Sequence, residues 1–329
     1  MSVIRQIING AKSKFTFFIN SITATGGTKV FLNNKIYHIF TQPGTFEITS
    51  IPVYVSSNQV NYLISGAGGS SAGFVPGSYG SGGGGAGALR IGECEIQVAT
   101  YPVTVGTGSV NSNGESSSIF SLTSNGGGRG SQGTTAQFYP GSTAPPSLYG
   151  SPGGSGGGAG SFGFFSPPGF LFAPSVVSPG GSANQPISRG FPGGDTFAGA
   201  PPGTVIPAAF PGGGGGGANP NNGYGGSASK GPTGQSPATG NALGGTGFSS
   251  PLFPYQIGQI ANLPSDWITS ILTYGFCKGG DSTGPFPTSA MIGTTNTGNG
   301  GQGNGVAGSP GIVIISYDVY NNYNGKKTL

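Results

Sequence analysis

Few residues of this chain could carry out covalent chemistry, and their spacing argues against it. His38 is the only histidine. Any Ser–His–Asp or Cys–His arrangement would have to be built on it. It sits beside Tyr37 in an alternating apolar stretch, the setting of an ordinary strand residue. Cys94 and Cys277 are far apart, and neither belongs to a C-x-x-C pair. With one histidine they make no zinc set, and both are expected as free thiols, at least one of them buried in a strand. Glu93 and Glu95 project from one face of one strand, as a carboxylate pair would and as any solvated polar face does. Asp195, Asp266 and Asp281 are scattered, and Asp266 is expected to cap a helix. Val60–Ile64 followed by Gly66-Ala67-Gly68 resembles the start of G-x-G-x-x-G, but the third position is Ser71 and no helix pattern follows. Gly325-Lys326-Lys327-Thr328 lacks the upstream glycine of a phosphate loop. The chain therefore reads as non-enzymatic, with no catalytic residue, cofactor or metal expected.

The elements that surround these residues are unusual. The chain has 70 glycines and 27 prolines in 329 residues, and Gly212–Gly217 is an unbroken run. Further patches centre near residues 83, 127, 157, 181, 193, 225, 245, 280 and 301. Charged residues are 6%, against about 25% in ordinary domains. No G-X-Y period supports a collagen helix. With a net charge of only +4, 21 Phe and 13 Tyr, the composition does not match disorder either. Basic residues gather at the N-terminus (Arg5, Lys12, Lys14, Lys29, Lys35) and in the tail (Lys326, Lys327). The middle is nearly neutral, so no stripe for nucleic acid is expected. The opening residues do not form a signal peptide, and no run approaches the roughly 20 apolar residues of a membrane span.

Four regions follow from composition. Residues 1–28 form an N-terminal segment for attachment or assembly. In it Val3, Ile4, Ile7 and Ile8 have helical spacing, and Phe15, Phe17 and Ile19 alternate as a strand does. Residues 29–123 read as a β-rich scaffold with the first glycine patches. Lys29–Leu32 and Lys35–Phe40 flank an Asn33-Asn34 hairpin turn. Phe46–Ile51, Gln59–Ile64 and Ala88–Val105 are further strand regions, and Ser116–Leu122 is expected as one more. Within Ala88–Val105 an apolar face runs through Cys94, Ile96 and Val98. Residues 124–310 alternate glycine patches with segments rich in proline and aromatics. A short helix is predicted over Ser265–Gly275. Residues 311–329 hold a closing strand, Gly311–Tyr317, and a polar tail. The two β-rich ends are expected to pair.

A glycine patch gives up more backbone entropy on folding than any other sequence. It recovers this only through contacts that a side chain would forbid. The three-residue extended helix has no internal hydrogen bonds and points its N–H and C=O groups outward. Several such rods packed side by side could satisfy each other's backbone. The fold class predicted is thus mainly β with little helix: an antiparallel β-sandwich-like scaffold plus a packed polyglycine-II array. The rods would hold the Pro-aromatic loops, where recognition commonly sits.

The order of signals carries a resemblance. Pro43-Gly44-Thr45-Phe46 is followed by Val60–Ile64 into Gly66-Ala67-Gly68-Gly69. Then come Tyr101-Pro102-Val103-Thr104-Val105-Gly106, Asn113-Gly114-Glu115-Ser116-Ser117 and, after a glycine-rich stretch, Pro310-Gly311-Ile312-Val313-Ile314-Ile315. Over about residues 29–317 this is similar to the glycine-rich domain of bacteriophage and large-virus virion proteins. It also resembles T-even-type phage tail-fibre tip adhesins, in which polyglycine-II helices hold receptor-binding loops. The resemblance implies a virion protein made in the host cytoplasm. It would bind other virion proteins through its N-terminal segment (Ile4, Ile7, Ile8, Phe15, Phe17) and a host surface protein or glycan through its loops. No nucleic acid or membrane insertion is expected, and a homo-oligomer is compatible. The candidate recognition residues are Tyr139, Tyr149, Phe164, Phe165, Phe170, Phe172, Tyr224, Phe253 and Tyr255, since aromatics are enriched at recognition hot spots. The alternative role is a capsid-associated, decoration or fibre-body subunit that binds sister subunits.

Overall fold

A computed structural model describes residues 21–52, 58–73, 80–134, 146–160, 179–184, 190–191, 193, 215–217, 244–245, 247–282, 295–303 and 305–319, together with short strand pairs outside these ranges. Among the described residues the fold is mainly β with two α-helices. The principal strands are β1 (Thr23–Thr25), β2 (Thr28–Leu32), β3 (Lys35–Phe40), β4 (Gly44–Ser50), β5 (Gln59–Ser65), β6 (Leu89–Glu95), β7 (Thr100–Val103), β8 (Ser117–Ile119), β9 (Leu122–Ser124) and β10 (Ile312–Asp318). The helices are α1 (Gln256–Ile260) and α2 (Ser265–Tyr274).

The closing strand organises the molecule. β10 pairs antiparallel with β3 on one side and β5 on the other, giving the sheet order β2-β3-β10-β5-β6. The two β-rich ends of the chain therefore meet in one sheet. Side chains of β10 alternate between two cores, as a pleated strand requires. Ile312 and Ile314 join Tyr37, Ile39, Leu63 and the helix layer of Ile257, Trp267 and Ile271. Val313, Ile315 and Tyr317 join Phe40, Val60 and Ile64, with Phe46, Ile48 and Val103 from a second sheet of order β7-β4-β1 and Ile119 from the β8–β9 hairpin. The scaffold is sandwich-like on one face, and α1 and α2 cover the other. β10 reads as an unbroken apolar run because both of its faces are buried.

Local sequence accounts for several of these elements. Asn33 and Asn34 have φ of 50° and 59°, the left-handed pair a two-residue hairpin needs, and they join β2 to β3. α2 ends at Gly275, whose φ of 71° suits a glycine C-cap. Its N-cap is Pro264, not Asp266. Asp266 instead accepts a hydrogen bond from the Trp267 N–H at 3.1 Å.

Three other expectations are corrected. Ile4–Arg5 is a short strand paired with Thr16–Phe17 rather than part of a helix. Fewer than about a dozen residues make no stable helix alone, so a backbone partner prevails over the spacing. The strand through Cys94 ends at Glu95, and Val98 is 61% exposed, so the apolar face stops at the buried Ile96. Ser116–Leu122 is not one strand. Phe120 and Ser121 take φ of 53° and 60° and fold it into the hairpin β8–β9.

His38 is an internal structural residue. It is 1% exposed, packed edge-on to Phe46 and stacked on Tyr317. Its Nδ1 lies 2.7 Å from the Gly26 carbonyl, so the proton sits there and Nε2 accepts from the Tyr317 hydroxyl at 3.0 Å. Gly26, at φ 106°, brings that carbonyl in where a Cβ would stand 2.0 Å from the Thr45 oxygen. Burial, partly offset by the Gly26 bond and helped by the Lys29 charge, lowers the His38 pKa from 6.5 to about 4. Between those values the unfolded chain takes up a proton that the fold refuses. Stability is accordingly expected to fall as pH drops from about 6.5 to about 4, by about 3 kcal/mol in all, and to level off for this group below that. Urea unfolding near pH 7, 6 and 5 measures the slope, and a flat stability between about pH 6.5 and 5 would contradict it.

Candidate functional site

The distinctive feature beyond the sheets is the glycine array, which grows directly out of strand ends. Residues 66–72 continue from β5, 82–88 lead into β6, 125–131 continue from β9, and 306–311 lead into β10. Within these runs the backbone bonds go sideways. Gly66, Gly69 and Ala72 donate to the carbonyls of Ala88, Gly85 and Gly82. Ala67 and Ser70 donate to Glu115 and Ser112, and Gly68 and Ser71 to Ser309 and Val306. Every third residue faces the same neighbour, which is the three-residue repeat of the polyglycine-II rod.

The central rod is 82–88. Gly82, Gly85 and Ala88 donate to Ser131, Gly128 and Asn125; Gly84 and Gly87 donate to Gly301 and Gly298; Ala86 donates to Gly216. Its own carbonyls accept from run 66–72, from Ser155 and Gly158, and from Gly280. Among the described residues it thus exchanges backbone bonds with six surrounding runs. This packing leaves no room for a side chain. A Cβ on Gly84 would lie 2.0 Å from the Gly69 oxygen, one on Gly127 2.0 Å from that of Gly85, and one on Gly300 2.0 Å from that of Gly84. Serines enter where the hydroxyl acts as an extra backbone group. Ser71 Oγ donates to the Val306 carbonyl and accepts the Val306 N–H, and Ser155 Oγ donates to the Gly217 carbonyl.

The register also gives each rod a direction. Runs 66–73, 125–134 and 155–160 point away from the five-stranded sheet, because 66–73 leaves β5, 125–131 is parallel to it, and 155–158 is antiparallel to the returning 82–88. These runs reach the edge of the array remote from the sheet, where residues 74, 135 and 161 follow in sequence. Tyr149 lies at this edge, 38% exposed, beside buried Leu148 and just before Gly150 starts a returning run. At the other pole, Lys35 pairs with Asp318 at 2.7 Å, and Ile19–Asn20 pairs with Tyr320–Asn321. The array and the paired terminal strands therefore stand at opposite ends of the sheet.

The remaining sequence-nominated residues divide. Phe164 belongs to Gly163–Phe164, which pairs in parallel with Gln137–Phe138. Ile4 stands opposite Phe17 in register. Tyr139, Phe165, Phe170, Phe172, Tyr224, Ile7, Ile8 and Phe15 lie outside the described residues. Phe253 is corrected: it is 1% exposed, edge-on to Tyr37 at 6.5 Å, filling the space between the helices and the sheet. Tyr255 packs half-buried against the same core. Neither is at the far edge of the array. Sequence reasoning did not single out Tyr101 and Phe120, which line a cleft beside Glu95. Phe120 could not be found because a bulky residue is not a hairpin-turn signal.

The reactive groups are quiet. Cys94 is half-buried and Cys277 buried, both free. Burial pushes the Cys277 thiol up to about 12, against a smaller lowering by its bond with Ser65. Burial and then the Glu95 charge also raise Cys94, so neither favours the nucleophilic thiolate. Glu93 and Glu95 are exposed. Among the described residues no group of three or more His, Cys, Asp or Glu could hold a metal ion, and no helix is long and apolar enough to cross a membrane.

Fold and array define a class: a β scaffold whose strands extend into laterally bonded glycine rods. The glycine-rich domain family model matches residues 41–318, and the chain belongs to that family. No curated protein matches the chain.

The array makes a direct prediction. Gly84→Ala is expected to lose roughly 1–3 kcal/mol through overpacking. Gly73→Ala, whose nearest new neighbour would be a Gln132 side-chain atom at 3.8 Å, is expected to stay near wild type. Urea midpoints of the two variants give the comparison.

Proposed function

We propose that this is a non-enzymatic virion protein of the tail-fibre or adhesin type, which recognises a host surface without covalent chemistry. The observation that carries this reading is the polarity of the molecule. Paired terminal strands stand at one pole, and outward glycine rods end at the other. A rod whose backbone is bonded on all sides has little freedom to bend, so the lattice suits a platform that holds loops in place. The segments that follow the outward rods are the proline- and aromatic-rich ones, including Tyr139, Phe164, Phe165, Phe170 and Phe172. Aromatic rings supply large contact area at low entropic cost, as recognition hot spots require. The N-terminal segment, of which Ile19–Asn20 pairs with Tyr320–Asn321 at the opposite pole, would join the protein to other virion proteins.

Two measurements test the reading. Purified full-length protein is expected to bind susceptible cells and compete with infection, and antibody against it to mark fibre ends on intact particles. Replacing Phe164, Phe165, Phe170 and Phe172 with Ser together should weaken cell binding roughly tenfold or more while the urea midpoint holds. Labelling of the capsid shell, with no competition for infection, would replace this reading with a capsid-associated or decoration subunit.

A further inference from the structure

The five-stranded sheet ends on two strands, β2 and β6, and among the described residues each pairs with one neighbour only. The register shows which backbone groups are left over. Leu32 and Lys35 flank the two-residue turn and exchange both backbone bonds, and the pattern then alternates along the hairpin. The N–H and C=O of Lys29 and Phe31 therefore point away from β3. At the other edge, the Gly66 N–H bonds to the Ala88 carbonyl and the Ile96 N–H to the Asn58 carbonyl. The same alternation turns the backbone groups of Ile91 and Glu93 away from β5. None of these outward groups has a backbone partner among the described residues.

The side chains on the two edges are complementary. Val30 lies on the helix-layer face of the sheet, so Lys29 and Phe31 lie on the opposite face. Phe31 is 59% exposed. Lys29 is exposed, with no ion pair among the described residues and only a 3.5 Å contact to the Ala24 carbonyl. On β6, Ile91 lies on the helix-layer face, and Glu93 and Glu95 lie there with it. Both carboxylates are exposed and without an ion pair among the described residues. An edge lysine ordinarily guards a sheet against stray strands. Here it stands beside an uncovered aromatic ring, which a guarded edge does not carry. A lysine in that setting selects: it rejects an apolar strand and admits one that brings a carboxylate to the facing position.

The topology lets the chain supply such a strand itself. All neighbours in the sheet are antiparallel, so β2 and β6 run parallel to each other. A second copy, turned by half a turn about the axis that crosses the strands, lays its β6 antiparallel against β2. The same turn brings its helix-layer face to the side of Lys29 and Phe31. One rotation thus satisfies both strand direction and facing side chains. With Lys29 opposite Glu93, Val30 meets Gly92 and Phe31 meets Ile91, and Glu95 stands diagonal to Lys29. Outward backbone then meets outward backbone at Lys29–Glu93 and at Phe31–Ile91, each pair exchanging both bonds.

We propose that β2 of one copy adds antiparallel to β6 of a second copy, with Lys29 against Glu93 and Phe31 against Ile91. The contact is head to tail. Each added copy leaves one β2 and one β6 open, so copies join in series. The interface is independent of the virion reading, since it rests on the two sheet edges alone. Sedimentation velocity of full-length protein is the test. Mean mass should rise with concentration, with half-association near about 100 µM. Lys29→Glu and Glu93→Lys each bring like charges together and should each weaken association about tenfold or more. Mixed in equal amounts, the two variants should associate again, and so should the double variant Lys29→Glu/Glu93→Lys, because opposite charges then meet at every contact. Phe31→Thr keeps a strand-forming residue and should weaken association several-fold. These side chains lie on open edges, and unchanged urea midpoints check that the fold is kept. Association that persists in both single variants, or that the double variant fails to restore, would overturn the assignment. A wild-type chain that stays monomeric up to about 1 mM would overturn it too. Shifts of the Lys29 and Phe31 amides on adding an acidic extended peptide would then give the edge to a different protein.

Discussion

Everything in this molecule rests on the need of a buried backbone to satisfy its own hydrogen bonds. In a sheet each strand has two neighbours in the bonding plane. In the glycine array a rod bonds in several directions around its axis, and run 82–88 reaches six others. That arrangement is open only to residues whose side chains vanish. Carbonyl oxygens stand about where a Cβ would be, at 2.0 Å for Gly84 and 2.1 Å for Gly83. The composition of the chain is the imprint of this one constraint.

The array and the sheet are one structure. Rods are prolongations of β5, β6, β9 and β10, so sheet register and rod register depend on each other. Their junction is closed by small polar groups. Ser65 Oγ donates to the Gly66 carbonyl and lies 3.1 Å from Cys277 Sγ. Asn296 donates to the carbonyls of Thr41 and Gly311 and accepts at its own carbonyl from the Trp267 indole, tying the helix layer to the rod that feeds β10. The buried thiol and the buried imidazole of His38 are both committed to such internal bonds.

Much of the scaffold was legible because local and tertiary demands agree. Asn33-Asn34 is a turn in any context that joins two strands. Gly275 ends a helix, and the apolar run of β10 announces a strand buried on both faces. Reading failed where a distant partner decided. Ile4 has helical spacing yet pairs with Phe17. Phe253 sits among prolines like a loop aromatic, yet it is the filler between helix and sheet. Phe120-Ser121 turns the chain without a turn residue, since Phe120 packs on Tyr101 and Phe46 and the core holds it there.

The sequence by itself determined that the backbone would be the main building material. Seventy glycines with few charges leave little else to pack, and a three-residue extended rod is the form in which bare backbone can bond on every side. Only the tertiary structure decided which rod lies beside which and in what direction. Glycine runs are nearly identical as chemical surfaces, and nothing in Gly82–Gly85 distinguishes Gly126–Gly128 from Gly156–Gly158 as a neighbour. Their order is imposed by the strands they extend, whose side chains alternate between two different cores and admit one register. The same strands bring Cys94, Tyr101 and Phe120 to one cleft, a meeting of three separate segments that no local pattern could announce.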